Sequence, residues 1–241
     1  METVTRRSFV GKVGGLVAAS FFISAKGQAG EEKSPKEQGQ KSNKPGMMEV
    51  SPVEDLMREH GVLSRCLLIY DETIDRIAQE MQYAPEPLAE VAGLIRRFVE
   101  EYHEKLEENY IFPRFVKAGK LADLVTILQA QHQAGRRLTE RILRAATSKG
   151  TGNREERKKL AQDLRLFARM YRPHKAREDT VLFPALHLIV SREEYDSLGE
   201  AFEEKEEELF GKDGFEKIVG EVAGVEKKLG LYDLAQFTPK T

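Results

Sequence analysis

Two stretches of this chain read alike: His103-Glu-Lys-Leu-Glu107-Glu-Asn-Tyr-Ile-Phe112-Pro113 and His174-Lys-Ala-Arg-Glu178-Asp-Thr-Val-Leu-Phe183-Pro184. In each, His-x-x-x-Glu is followed five residues later by Phe-Pro. Positions i and i+4 of a helix stand one above the other, so each stretch aims an imidazole and a carboxylate at one point. A helix holds a metal ion in this way. The duplication restricts the fold, because two separate helices must each turn such a polar pair toward a shared interior.

Two further histidines extend the pattern. His60 precedes the first stretch and His132 lies between the two, with separations of 43, 29 and 42 residues along the series His60, His103, His132, His174. A long, short, long alternation is what an up-and-down bundle produces when its site lies nearer one end. The spacing therefore predicts an all-α protein: an antiparallel up-and-down four-helix bundle followed by one or two additional C-terminal helices.

The apolar periodicity agrees. Ser51-Pro52-Val53-Glu54 combines an N-cap serine, proline at the first helical position and glutamate at the third. From there Val53, Leu56, His60, Leu63, Leu67, Tyr70, Ile74, Ile77 and Met81 step by threes and fours, which places His60 on a core stripe. A second helix, after the break at Ala84-Pro85-Glu86-Pro87, carries Leu88, Val91, Ile95, Phe98, Tyr102, His103 and Leu106 and is expected to end at Pro113 and Gly119. A third carries Val125, Leu128, His132, Gly135 and Ile142, and a fourth runs from about Arg154 through Leu160, Leu164, Phe167, Tyr171, His174, Glu178 and Val181. Counting residues from each histidine to the intervening turn brings all four imidazoles near one level of the bundle. Pro173, just before His174, is expected to kink the fourth helix. Ser191-Arg-Glu-Glu194 opens a further helix as a capping box, and another is expected near 214–230, both covering the bundle from outside.

The flanks read differently. Residues 1–29 resemble an export signal: Thr5-Arg6-Arg7-Ser8-Phe9-Val10 precedes an apolar run from Val13 to Ile23, too short to remain as a membrane anchor. Paired arginines before a modest apolar core suggest a twin-arginine signal, cleaved after Ala29, with the twin-arginine translocase as a partner during export. Residues 30–50 are mostly Lys, Glu, Ser, Gln and Pro and read as a disordered linker. The bundle is expected over 51–190 and the C-terminal helical extension over 191–241. The mature protein should be free in the periplasm, without a stable membrane anchor. A net charge of −2 with no basic stripe argues against nucleic acid as a partner. One cysteine, Cys66, precludes both an intrachain disulfide and a cysteine-rich metal motif.

Six polar groups on apolar stripes demand compensation, since a buried charge or imidazole costs several kcal/mol unless paired, hydrogen-bonded or bound to metal. Four neutral imidazoles and two carboxylates suit two divalent ions, each taking two histidines, with both glutamates bridging. Mixed nitrogen and oxygen donors with open positions favour iron, with manganese or zinc as substitutes. The metal ligands are therefore expected to be His60, His103, Glu107, His132, His174 and Glu178. Tyr102 and Tyr171 read as core packing that could also bond a ligand, His187 as structural, and Glu104, about 100° round the helix from His103, as solvated.

From about Val53 to Leu186 the chain resembles the hemerythrin-like (HHE cation-binding) domains, whose order is His, His-x-x-x-Glu, His, His-x-x-x-Glu. The resemblance implies a non-haem di-iron centre, with His60 and His103 on one iron, His132 and His174 on the other, and Glu107 and Glu178 bridging. The oxygen-carrying members add a fifth histidine four residues from the third-helix ligand; here those positions are Leu128 and Arg136. The reading that follows is an exported di-iron protein that binds or senses a small diatomic molecule, oxygen or nitric oxide, or a peroxide. The alternatives are a di-iron redox enzyme, either a peroxidase or catalase or a nitric oxide reductase, and a protein like those that repair iron clusters. The repair proteins usually carry an added cysteine-containing N-terminal segment that this sequence lacks.

Overall fold

Local capping signals in the sequence set where the helices begin and stop. The computed structural model describes residues 50–147 and 153–240; the paired arginines of the leader lie outside them, and of the linker only Val50 is described. Helix α1 spans Pro52–Ala78, with Ser51 accepting from the backbone N–H of Glu54 as its N-cap. It stops earlier than its apolar seam suggests. Glu80 takes a left-handed backbone conformation, and the N–H groups of Glu80 and Met81 close back on the carbonyls of Ile77 and Arg76. That is a Schellman stop, which satisfies two terminal carbonyls and turns the chain away. Met81, at the end of the seam, is consequently 48% exposed rather than in the core.

Helix α2 is a continuous rod over 85–118, regular at Pro85–Leu94, π-helical at Ile95–His103 and Glu107–Ile111, and regular again at Phe112–Ala118. Pro113 does not end it, contrary to the sequence expectation. The helix continues to Gly119, whose φ of 63° supplies the left-handed cap. Helix α3 is Ala122–Thr147. Helix α4 covers 154–186, with a full capping box between Asn153 and Glu156 at its start and a π-helical stretch at Glu178–Leu182. It runs through Pro173 as one helix. Helices α5 (Arg192–Phe210) and α6 (Gly214–Leu229) follow, with Ser191 capping α5 as expected. The described residues contain no strand.

Each of the first four helices packs against two of the others, α1 on α4 and α2, and α3 on α2 and α4. Leu56, Leu63, Leu67, Tyr70, Phe98, Leu128, Ile142, Leu164 and Phe167 fill the space between them at 2% exposure or less. The apolar stripes read from the sequence are these faces. Helices α5 and α6 lie against the same core. Phe210 meets Phe98 and Tyr102 edge-on, Ile218 and Val222 are fully buried, and the Arg65 guanidinium grips both oxygens of Glu226 at 2.9 and 2.5 Å. No described helix is long and apolar enough to cross a membrane.

Candidate metal centre

The two π-helical turns account for the duplicated motif. In each stretch the N–H of the phenylalanine donates to the carbonyl of the glutamate five residues back, Phe112 to Glu107 and Phe183 to Glu178. A proline next in line has no N–H to offer and its ring clashes with the carbonyl four residues earlier, so a wider turn just before it absorbs the defect. The five-residue interval between Glu and Phe-Pro is the length of that turn. The turn also aims the aromatic ring. Phe183 stacks on His60 at 5.6 Å and 17°, and Phe112 on His132 at 5.5 Å and 24°.

The structure brings all six sequence-predicted residues together. His60 and His103 face each other with their Nε2 atoms 3.1 Å apart, and His132 and His174 do the same at 3.2 Å. Each glutamate divides its two oxygens between the pairs. Glu107 places Oε1 3.8 Å from His103 Nε2 and Oε2 3.4 Å from His132 Nε2; Glu178 places Oε2 3.4 Å from His60 Nε2 and Oε1 3.1 Å from His174 Nε2. The imidazoles come one from each of the first four helices, and every one of the six side chains is buried.

The outer ring nitrogens are held by a matching second set of residues. His103 Nδ1 donates to Glu59 at 2.7 Å and His60 Nδ1 to Asp179 at 2.6 Å. His132 Nδ1 donates to Glu108 at 3.1 Å and His174 Nδ1 to Gln131 at 2.8 Å. The pattern is doubled like the motif itself. The residue before each of His60 and His132 holds the histidine of the next helix, and the residue after each of Glu107 and Glu178 holds the histidine of another pair. This arrangement orients the imidazoles and leaves each Nε2 lone pair pointing inward. The two halves differ in charge at one position, where Glu59 in the first corresponds to the uncharged Gln131 in the second, and in length at the other, where Glu108 corresponds to Asp179.

These residues fit a metal pair. With each Nδ1 carrying a ring proton, two inward nitrogens oppose each other across 3.1 and 3.2 Å, an arrangement that repels unless a shared proton or a metal cation lies between them. Two imidazoles on one ion at bond lengths of about 2.0–2.1 Å would set their nitrogens about 3 Å apart. All four oxygens of Glu107 and Glu178 are buried without a hydrogen-bond donor, which in a dry interior costs about 1–3 kcal/mol per group or more. Burial opposes charge on both carboxylates, and their pKa values part. Burial and the neighbouring Glu178 charge push Glu107 well above the usual carboxylate range, while the imidazoles of His174 and His60 hold Glu178 below it. Burial works against protonating His60, but the Asp179 and Glu178 carboxylates outweigh it and raise its pKa to about 9. Burial, only partly offset by Glu108, takes His132 down to about 4.

Two expectations about neighbouring residues need correction. Glu104 is not solvated. It is 1% exposed, accepts from the Tyr171 hydroxyl at 2.5 Å, and pairs with Arg136 at 2.7 Å. It is covered because α2 is packed on several sides, so its buried arc is wider than one stripe. Arg136 also reaches Glu108 at 2.7 Å, tying this network to His132. Burial pushes the Glu104 carboxyl up to about 8 against the pull of Tyr171 and Arg136. Tyr171 therefore does more than fill space, although its ring also packs on Phe167 and lies 5.3 Å from His174. Gly135 makes room for it, since a Cβ there would meet the Tyr171 hydroxyl at 2.1 Å. Tyr102 packs with Phe98 and Phe210, and His187 is exposed and lies tilted against Tyr195.

The hemerythrin HHE cation-binding domain matches this chain over residues 51–186, more than half its length and the segment that carries all six donors. The chain belongs to that family. Among curated relatives, an uncharacterized protein of Mycobacterium tuberculosis and one of Mycobacterium bovis are each 50% identical over 190 residues, covering 79% of this chain and 74% of theirs. No solved structure matches. This hemerythrin-like chain thus carries a histidine and glutamate cluster capable of holding metal.

Proposed function

We propose that this hemerythrin-like chain is an exported non-haem di-iron protein that binds or senses oxygen or nitric oxide. In this reading the first four helices form an antiparallel up-and-down bundle. His60 and His103 hold one iron, His132 and His174 the other, and Glu107 and Glu178 bridge. The observation that carries the reading is the division of each glutamate between the two histidine pairs, which gives both positions two nitrogens and two oxygens. Mixed nitrogen and oxygen donors short of a full coordination sphere suit iron better than closed thiolate or all-oxygen sites do, with manganese and zinc as substitutes. An iron pair so bound would supply electrons to an incoming diatomic molecule.

The protein's own residues do the rest. Glu59, Asp179, Glu108 and Gln131 orient the imidazoles. Phe112 and Phe183 keep water from two of the rings, and the Tyr171, Glu104 and Arg136 network secures the second half. Leu128, one turn before His132, offers no donor, which leaves room for an external molecule. The paired arginines Arg6 and Arg7 support twin-arginine export to the periplasm of a folded, metal-loaded protein.

Optical spectra of the iron-loaded protein, recorded without oxygen and then with oxygen or nitric oxide, test this. The reading expects ligand-dependent bands at a stoichiometry of one ligand per chain. Spectra that do not respond to either gas would overturn it, and steady-state consumption of peroxide or nitric oxide would move the assignment to a redox enzyme.

A further inference from the structure

Away from the six donors, the surface carries a second concavity with a different chemistry. A cleft of about 500 Å³ lies between the end of α1 and the start of α4. Ile77, Ala78 and Ala161 give it an apolar floor, and four cationic side chains face one carboxylate, Glu80, around it. Arg165, the cleft residue nearest the metal centre along α4, precedes His174 by nine residues, about 14 Å of helix. Two of the four cations are matched locally, Arg154 by Glu80 at 2.6 Å and Lys158 by Glu155 at 2.8 Å. Arg157 and Arg165 have no carboxylate partner among the described residues, unlike Arg65 with Glu226, Arg76 with Glu72 or Arg141 with Asp163. They stand eight residues apart on one face of α4, about 12 Å along the axis, with Ala161 midway. The alanine methyl leaves room for both guanidiniums to reach one molecule in the cleft. The helix end itself is not the attraction, because the Asn153 side chain already accepts from the N–H groups of Glu155 and Glu156. Guanidinium forks take phosphate oxygens two at a time, so two unmatched forks over an apolar floor suit a phosphate group attached to a less polar body. The volume is that of a small-molecule site rather than of a track for a polymer.

We infer that this cleft binds a phosphate monoester or diester, held by Arg157 and Arg165, with the less polar part of the ligand on Ile77 and Ala161. A free phosphate ester and the headgroup of an anionic lipid present the same oxygens to the two arginines. None of the six candidate donors lines the cleft, so binding here does not depend on whether metal is held at the histidines.

Phenyl phosphate, titrated calorimetrically into the full chain at about 0.15 M salt so that loose surface attraction is screened, probes the free form. Sedimentation with phosphatidylglycerol vesicles, beside phosphatidylcholine vesicles as the uncharged control, probes the lipid form. One phenyl phosphate bound per chain, or retention on the phosphatidylglycerol vesicles alone, is the expected result, and which of the two is seen names the source of the phosphate. Arg157 is half-buried and Arg165 exposed, so neither Arg157→Gln nor Arg165→Gln puts folding at stake. Each should weaken binding roughly tenfold, with helical content unchanged, by removing one charge-assisted fork. Arg137→Gln is the control. It removes the same charge from an exposed arginine of α3 that also lacks a carboxylate partner among the described residues but lies outside the cleft, and it should change affinity by less than about twofold. A wild-type chain that binds neither probe overturns the assignment. So does binding that weakens as much in Arg137→Gln as in Arg157→Gln and Arg165→Gln, since diffuse surface charge would then account for it.

Discussion

Replacing Gly135 by alanine sets two effects against each other. Alanine in a helix interior is better than glycine by about 1 kcal/mol. At this position its Cβ would fall 2.1 Å from the Tyr171 hydroxyl and 2.8 Å from two carbons of the same ring. Tyr171 is 1% exposed and cannot swing outward, so the overlap must be relieved by moving packed atoms, which typically costs about 1–3 kcal/mol. Displacing the hydroxyl also breaks its bond to Glu104, worth about 1 kcal/mol net. The overlap wins, and Gly135→Ala should destabilise by about 1–3 kcal/mol. In a domain of this size that is roughly 2–12 °C in Tm at ~2–4 °C per kcal/mol. Differential scanning calorimetry on the metal-free protein reads it without interference from ligand binding. Tyr171→Phe removes the closest atom, so the alanine should cost about 1 kcal/mol less in that background than in wild type. A Gly135→Ala protein that melts at or above the wild-type temperature, or a double variant whose losses simply add, would refute the proposed fit between α3 and Tyr171.

Three further outcomes follow from the packing. Removing bound metal with a chelator should lower stability by about 4 kcal/mol where free metal had stood at ~1,000 times its Kd, seen as a drop in Tm that added iron reverses. An unchanged Tm would mean that the six donors need no cation. Cys66 is fully buried with its thiol pushed up to about 12 by burial, so a thiol reagent at pH 8 should label it only after denaturant is added; rapid labelling of the native chain would contradict the packing of α1. Truncation after Val190 strips Phe210 from Phe98 and Tyr102 and Glu226 from Arg65, and should expose apolar surface that binds a hydrophobic dye. A truncated protein as soluble and dye-free as the parent would show that α5 and α6 are dispensable.

Much of the site is legible in the chain because its six candidate donors obey helical periodicity. The i, i+4 pairs His103 with Glu107 and His174 with Glu178, and the core registers of His60 and His132, follow from spacing alone. Residues one step from a ligand were less legible. Glu59, Gln131, Glu108 and Asp179 each neighbour a predicted donor, but a regular helix turns adjacent residues about 100° apart, which by itself sends them outward. They reach an imidazole because it belongs to another helix, a relation that no single stripe encodes. Their one signal was the doubling itself, since each occupies the same offset in both halves. Glu104 escapes the sequence pattern for a related reason: helical pattern locates the centre of a buried face, not its width, and α2 is covered by more neighbours than one stripe implies. Pro113 suggests a stop because a lost donor usually breaks a helix, whereas a π turn carries the helix past it.

The proposed centre requires that six inward donors hold two ions. Iron counted by elemental analysis in the purified full chain, beside a His103→Ala, His174→Ala variant of equal helical content, tests it most directly. Two irons per wild-type chain and their loss from the variant are the predicted result. A folded wild-type chain that retains no metal from an iron-supplemented preparation, or a variant that retains the full complement, would contradict it.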